Sequence, residues 1–531
     1  MNPTAPIKKK PRISISNVAV LLMSTAFLGQ LLGFLRTKLV NANFPTTGPQ
    51  STDAYFAAFT IPDFFFFTLA AGALGVAFMP VLSDRLLRNG RRNAWELADS
   101  LLNFLAVLMA VVAVIIIVFA APLIKHIVAP GLSPVQLHTA TTIMRFLALN
   151  PLLFTISGIL TSVQQTMGRF FFFAIAPLFY NLSIIMSIYI FKDNIGLVGL
   201  GLGALIGAVL QLIIVACGLW NTSFHWRPGV MWKSHDFHIV LRNLPPRSLD
   251  QGMDQVENIV ETHIASGIGA GNITYWSNAY ILSTAPILLI GTAISTAAFP
   301  RLNARLSQHR PDLFRKDFLM VLRAMIWISA PLVIVCYFCR GYLARLIYTH
   351  GNQQIATIFG FLTVAIFFRI MYSIISRWFY AQKDTITPLI VSLFVIGLNV
   401  FLAISLSRPG AYGVSGLALA QSIVAATEVF ILSIIMLVRD PKLFDATFWG
   451  GVWRIASVTG FSVVAAFIMI SVYPLGINDK GVLALGSKLL LIAGATFSVH
   501  ICVSALFGLE EVQPLFKRLR KIILNPIKLQ L

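Results

Sequence analysis

The sequence predicts an all-α polytopic membrane protein of about fourteen transmembrane helices, and three observations predict it. Hydrophobic residues fill 57% of the 531 positions and charged residues only 11%, with a mean hydropathy of +0.81. Soluble domains carry about 25% charged residues, so this chain has too little polar surface to solvate several such domains and too much apolar surface to stay disordered. The apolar residues also fall in uninterrupted runs of ~20, the length at which a helix crosses hydrocarbon. An outer-membrane barrel would show ~10-residue alternating segments instead. Finally, the basic residues are sorted between alternate loops.

Runs of bilayer length lie at 14–40, 52–82, 97–122, 138–165, 171–191, 196–220, 238–268, 272–300, 317–339, 355–381, 386–406, 411–438, 449–472 and 484–507. The first follows Lys8-Lys9-Lys10-Pro11-Arg12, as in a signal peptide. No small-residue cleavage site follows, and Gln30, Arg36 and Lys38 interrupt its far end, so it reads as an uncleaved span. With the N-terminus inside, inner segments hold 26 of the 40 Lys and Arg residues. Outer segments hold 6: Lys125, Lys192, Arg340, Arg345, Arg408 and Lys480. One missing span would move every later loop to the other side, so this asymmetry predicts fourteen spans with both termini cytoplasmic. The net charge of +20 then reflects cytoplasmic anchoring and not nucleic-acid binding.

The chain echoes itself at an offset of about 210–220 residues. Ala77-Phe78-Met79-Pro80-Val81-Leu82-Ser83-Asp84-Arg85-Leu86 ends the second span, and Ala297-Ala298-Phe299-Pro300-Arg301-Leu302-Asn303-Ala304-Arg305-Leu306 ends the eighth. Gly196-x-x-Gly199 opens the sixth span and Gly410-x-x-Gly413 the twelfth, while Pro177-Leu178 and Pro388-Leu389 begin the fifth and eleventh. A six-helix unit repeats in the same orientation, so its halves relate by an axis along the membrane normal, as in transporters. The expected organisation is a basic cytoplasmic N-terminus at 1–13, an N-lobe at 14–222 (helices 1–6) and a C-lobe at 223–440 (helices 7–12). Helices 13–14 follow at 441–510 and a basic cytoplasmic tail at 511–531.

Charges at membrane depth are costly, roughly 2.5–3.5 kcal/mol each on insertion scales, and mark functional positions. On the seventh span Arg247, Asp250, Asp254, Glu257 and Glu261 are spaced 3, 4, 3 and 4, along one helical stripe. Such a stripe is either a charged seam between helices or the wall of a solvated cavity or cation site. Four carboxylates against one basic residue on that face favour protonation or a bound cation. Asp254, Glu257 and Glu261 are therefore candidate coupling or gating residues for a proton or sodium. Asn399 of the eleventh span would add an oxygen ligand if it came near Glu261. Alternatively the carboxylates pair with in-span arginines such as Arg323 or Arg369. Pro245-Pro246 is expected to break or kink this helix, and Gly267, Gly269 and Gly271 to loosen its other end.

On the first span Gly29-x-x-x-Gly33 predicts close helix packing. Arg36 either snorkels to the outer interface or points into a cavity, and Asp53 opens the second span near the same level as a partner for it. Arg145, Arg323, Arg369 and Glu428 are further in-span charges. The aromatic blocks Phe64–Phe67 and Phe170–Phe173 read as lipid-facing or core packing. Cys217, Cys336, Cys339 and Cys502 lie scattered in apolar runs, without the spacing of a zinc site or disulfide framework. Gly199-x-Gly201-x-Gly203 follows no strand, and there is no Walker A, H-E-x-x-H or G-x-S-x-G motif. Nothing predicts a catalytic residue or resident metal.

Thr52-Asp53-Ala54-Tyr55-Phe56, Pro62, Ala71-Gly72-Ala73 and Ala77-Phe78-Met79-Pro80, in that order, resemble the second helix of the MurJ (MviN) lipid II flippases. So do Leu32-Gly33-Phe34-x-Arg36 on the first helix and Gln255-x-x-x-Ile259-x-x-Thr262-x-x-Ala265-Ser266-Gly267 on the seventh. The resemblance implies the multidrug/oligosaccharidyl-lipid/polysaccharide exporter fold in a bacterial cytoplasmic (inner) membrane. It implies movement of undecaprenyl-diphosphate-linked peptidoglycan precursor from inner to outer leaflet by alternating access. A cationic central cavity would hold the diphosphate, and the last two helices would form a groove for the lipid tail. Arg36 and Asp53 match the family pattern. Gln30 stands where the family has Arg, Phe66 and Phe67 where it has Arg after the proline, and Ala71 where it has an acid. The family's Asp-Arg pair would fall near Tyr280-Ile281. The expected cavity set is thus Arg36, Asp53, Gln30, Arg145 and Arg369. Expected partners are lipid II, membrane lipids and cell-wall synthesis proteins, with the chain a monomer. No cofactor is expected beyond a coupling cation or the membrane potential. The same fold also accommodates export of another polyprenyl-linked saccharide or a cationic small molecule, or a transport-inactive scaffold.

Overall fold

The structure, a computed structural model, describes residues 15–513 except 72–77, 89, 221, 223, 233, 349–351, 409, 477–478 and 480. Among these residues every regular element is helical. In order they are Ile15–Asn43 (α1), Thr52–Phe66 (α2), Met79–Arg88 (α3), Gly90–Pro122 (α4), Pro134–Leu147 (α5) and Asn150–Thr166 (α6). Phe171–Ile195 (α7), Val198–Cys217 (α8), His235–Ile268 (α9), Asn272–Pro286 (α10), Ala293–Ser307 (α11) and Pro311–Phe338 (α12) follow. Arg340–Ile347 (α13), Gln353–Ala381 (α14), Ile386–Leu406 (α15), Ser415–Arg439 (α16), Ala446–Val472 (α17) and Val482–Leu506 (α18) are the remaining α-helices among the described residues.

Twelve helical segments among the described residues are long and apolar enough to cross a membrane. The two predicted spans outside that set are the second, which passes through 72–77, and the seventh. The seventh is α9, a continuous 34-residue helix whose charged side chains lower its hydropathy. The expected count of fourteen is therefore not reached by length and apolarity alone.

Prolines account for the local departures from α-helix. Pro122 and Pro286 each precede a π-helical turn, Leu123–Val128 and Ile287–Thr292, and Pro62 lies five residues before a third, Phe67–Ala71. A proline removes one backbone donor and crowds the preceding turn, and a wider i→i+5 turn accommodates this. The second and eighth predicted spans thus share a helix, a π turn and a second helix, matching their sequence echo. Pro245-Pro246 behaves differently: α9 runs through both without a break, contrary to expectation. Membrane helices tolerate prolines where neighbouring groups re-satisfy the freed carbonyls. At its far end α9 includes Gly267 and stops at Ile268, and Gly269 and Gly271 follow at φ 154° and 87°.

The chain divides into two units, Met1–Ile259 and Val260–Leu531, so the division falls inside α9. In the first unit α7 lies tightly against α8. Gly199, Gly203 and Gly207 recur every fourth residue on α8, and a Cβ at Gly203 would lie 2.2 Å from the Ser187 hydroxyl oxygen. This is the small-residue packing stripe of the unit. The predicted stripe at Gly29 and Gly33 is not: a Cβ at Gly33 would meet nothing within 4 Å, and one at Gly29 only Leu178 at 3.8 Å. The spacing permits close approach, but a facing backbone must be present to use it. Leu97, Leu101 and Leu105 of α4 build the core with Ile159 and Val163 of α6 and Phe237 of α9.

In the second unit α14 is the most buried helix, packed by α10, α12 and α16. The α17–α18 hairpin packs on α12 and is tied there at several levels. Arg323 pairs with Glu511 at 2.6 Å and Glu510 at 3.6 Å, and Trp327 Nε1 donates to Ser504 Oγ at 2.8 Å. At the other end the Tyr342 hydroxyl donates to the Tyr473 carbonyl, and Arg345 to that of Gly476 at 2.5 Å. Gly451 makes room for the first tie, since a Cβ there would lie 2.5 Å from the Arg323 Cζ.

Candidate functional site

Two polar clusters occupy the apolar body, one in each unit. In the first unit Arg36 of α1 acts electrostatically on Tyr55 and Asp63 of α2 and on Tyr180 of α7. It is half-buried, and among the described residues no hydrogen bond or ion pair engages its guanidinium. Asp63, a residue the sequence reading did not single out, is a carboxylate within its electrostatic range. Asp53 is buried at the start of α2, where the Ser51 hydroxyl caps the helix by accepting its N–H at 3.1 Å. Phe66, where the resemblance expects Arg, packs edge-to-face with Phe154, ring centroids 5.5 Å apart, and Phe154 with Tyr180 at 5.2 Å. Aromatic rings thus pack together at the position where the family pattern has an arginine. Gln30 is exposed on α1. Arg145 is exposed on α5 and donates from Nε to the Ile117 carbonyl at 3.3 Å, a weak backbone tie.

In the second unit one hydrogen-bonded chain joins four helices. Glu261 of α9 accepts from Gln421 Nε2 at 2.6 Å and from Asn399 Nδ2 at 3.3 Å. Arg369 of α14 donates to Gln421 Oε1 at 3.3 Å and lies 3.6 Å from Glu428. Glu428 also accepts from Ser392 Oγ at 2.8 Å, and Tyr372 meets Ser392 at 3.4 Å. Glu261, Asn399, Gln421 and Glu428 are all buried. Two carboxylates, one guanidinium and two amides are thus linked in one network, buried except for the partly exposed Arg369. The expected approach of Asn399 to Glu261 occurs, but through its N–H and not as an oxygen ligand. An ionised carboxylate has only acceptors, so it selects the donor end of the amide.

The α9 stripe is uneven. Asp254 is exposed, Glu257 and Glu261 are buried, and the side chains of Arg247 and Asp250 lie outside the described residues. Arg323, considered as a partner for the stripe, instead serves Glu510 and Glu511. Gln421 and Ser392 were missed because neutral polar residues in an apolar run carry no signal until a charge is placed against them. All four cysteines are free thiols. Among the described residues no group of His, Cys, Asp and Glu has the arrangement of a metal site.

A family profile described as lipid II flippase MurJ matches residues 49–493. The chain belongs to the MurJ lipid II flippase family. A probable lipid II flippase MurJ of Borreliella burgdorferi is 23% identical over 434 residues, covering 80% of this chain and 84% of that relative. Among solved structures, a lipid II flippase MurJ in an inward closed conformation matches with a TM-score of 0.75 at 21% identity, covering 92% of this chain and 98% of that one. An inward-facing multidrug resistance MATE transporter of the MOP superfamily matches with a TM-score of 0.67 at 16% identity, covering 83% and 98%. Family members are multi-pass membrane transporters, not enzymes, and the fold class read from the sequence agrees.

Proposed function

We propose that this chain is a lipid II flippase. It moves the undecaprenyl-diphosphate-linked peptidoglycan precursor from the inner to the outer leaflet of the cytoplasmic membrane by alternating access. Family membership over residues 49–493 supports the substrate class. The observation that carries the chemistry is Arg36, a permanent cation at membrane depth whose donors no described residue occupies. A diphosphate cannot enter hydrocarbon unaided, and a guanidinium offers it two parallel charge-assisted hydrogen bonds. Tyr55 and Tyr180, within electrostatic range of the arginine, add two hydroxyls to this region. The basic segments support an orientation with both termini cytoplasmic. The test is complementation of a flippase-depleted bacterium, read as lipid II exposed on the outer leaflet. Rescue supports this reading. Failure at normal abundance, with binding of cell-wall synthases retained, would favour a scaffold.

We further propose that Glu257 and Glu261 respond to a proton or sodium that biases one conformation over another. A ligand shifts such an equilibrium only by binding one state better. Their burial on a helix that belongs to both units motivates this reading. The alternative, a purely structural seam, draws on the Glu261–Gln421–Arg369 chain. Spectroscopic distances across pH and sodium, in wild type and in Glu257→Gln and Glu261→Gln, separate the two. A wild type without any response, or variants that respond as it does, leaves only the seam.

A further inference from the structure

The connection from α8 to α9 carries three exposed tryptophans, Trp220, Trp226 and Trp232, at 80%, 58% and 57% exposure. Exposed indoles on a slack loop would be unremarkable, but here the backbone beneath each is fixed. Arg169 Nη1 donates to the carbonyls of Gly218 and Trp220 at 3.1 and 3.0 Å. Asn103 of α4 uses its whole amide: Oδ1 accepts from Trp226 Nε1 at 2.9 Å, and Nδ2 donates to the Arg227 and Gly229 carbonyls at 2.8 Å each. Trp232 packs edge-on to Phe104 and Phe237, with ring centroids 5.7 and 5.8 Å away. Buried Phe224 packs on Trp95, and Arg85 holds Asp236 and Ser234 at the start of α9.

The clamp sits at a defined level. No charged residue occurs on α4 from Ser100 to Pro122, a stretch about 34 Å long at 1.5 Å per residue, enough to cross the ~30 Å hydrocarbon thickness. Asn103 lies within one turn of its N-terminal end. On α4 Asn103 also heads a helical stripe with Val107, Val111, Val114 and Val118, all four exposed. Exposed valines on a membrane span face lipid, so Asn103 marks the point where the lipid-facing stripe ends. Tryptophan prefers that boundary, its ring apolar and its N–H polar. Exposed His225 and Arg227 flank Trp226 and can meet phosphate.

We propose that residues 224–232, clamped by Asn103, form a rigid aromatic foot seated in the headgroup region of the bilayer. Its ligand is bulk phospholipid, with the indoles at the edge of the hydrocarbon and Arg227 on a phosphate. Assignment to the inner leaflet rests on the orientation proposed above, and cysteine accessibility tests that part separately.

The test uses the full chain in vesicles of phosphatidylethanolamine and phosphatidylglycerol, free of lipid-linked substrate. The lipids are brominated either near the carbonyl or near the end of the acyl chain. Subtracting the emission of the W220F/W226F/W232F variant from wild type isolates the foot; if that variant does not reconstitute, W226F alone gives the same subtraction for Trp226. The foot should lose most of its emission to shallow bromines, little to deep ones and little to aqueous acrylamide. Asn103→Ala should shift the emission to the red and open it to acrylamide. Free access to acrylamide in wild type, with no effect of brominated lipid, would overturn the proposal. So would protection from acrylamide that appears only when soluble protein is added.

Discussion

Arg36 and Arg369 are both single arginines at membrane depth, yet their surroundings differ. Arg369 is committed: Gln421 accepts from it, Glu428 lies 3.6 Å away, and Glu261 closes the chain through Gln421. Arg36 has Asp63 within electrostatic reach but no hydrogen bond or ion pair among the described residues. A guanidinium paired with a carboxylate and bonded to an amide is partly neutralised and held in place, whereas one without such partners can turn its donors to a substrate. The cluster in the first unit is therefore suited to binding and that in the second to holding a conformation.

The sharpest way to break this comparison is at Arg36. Arg36→Ala should abolish flipping and Arg36→Lys should keep part of it, measured as outer-leaflet lipid II at equal membrane abundance. Equal activity of Arg36→Ala and wild type would remove the distinction. Arg369→Ala should instead act first on stability. Removing one partner of a buried pair leaves the other charge uncompensated and costs up to about 3–5 kcal/mol; partial exposure of Arg369 places the loss toward the lower end. Thermal unfolding in detergent reads it, and Arg369→Gln combined with Glu428→Gln should recover much of the loss. If Arg369→Ala lowers transport at unchanged stability, that arginine contacts substrate after all.

A smaller effect is expected at Gly451. The added methyl of Gly451→Ala displaces the Arg323 guanidinium from Glu511, an overpacking cost of about 1–3 kcal/mol. Cross-linking between cysteines at Trp327 and Ser504 should become less efficient if the hairpin loosens.

The smallest effect lies outside the spans, at Asp384 between α14 and α15. Burial alone would raise this carboxyl. The Thr387 hydroxyl and N–H and the Arg439 guanidinium outweigh that and hold it at about 2. A lowered folded value means its stabilisation is complete above the unfolded range near 3.9 and is lost as pH falls toward 2. The unfolding midpoints of wild type and Asp384→Asn should therefore differ at pH 7 and converge toward pH 2. A pH-independent difference would show that the ion pair is not the cause.

Much of this molecule was legible as sequence. Apolar runs and sorted charges are one-dimensional quantities, because a bilayer imposes length and sign on each segment separately. They located the helices and picked out Arg36, Glu257, Glu261 and Asn399 as polar residues out of place, while echoed motifs carried the repeat and a resemblance of motifs the family. What they left undecided is which polar group meets which. Asp63 answers to Arg36, Gln421 bridges Glu261 to Arg369, and Arg323 leaves the α9 stripe to Glu510 and Glu511. The close-packing glycines are those of α8, not the equally spaced pair on α1. Hydrogen bonds and close approach depend on distances of a few ångströms between helices remote in sequence. Periodicity sets only the face a residue lies on, and the partner opposite that face is decided by tertiary packing.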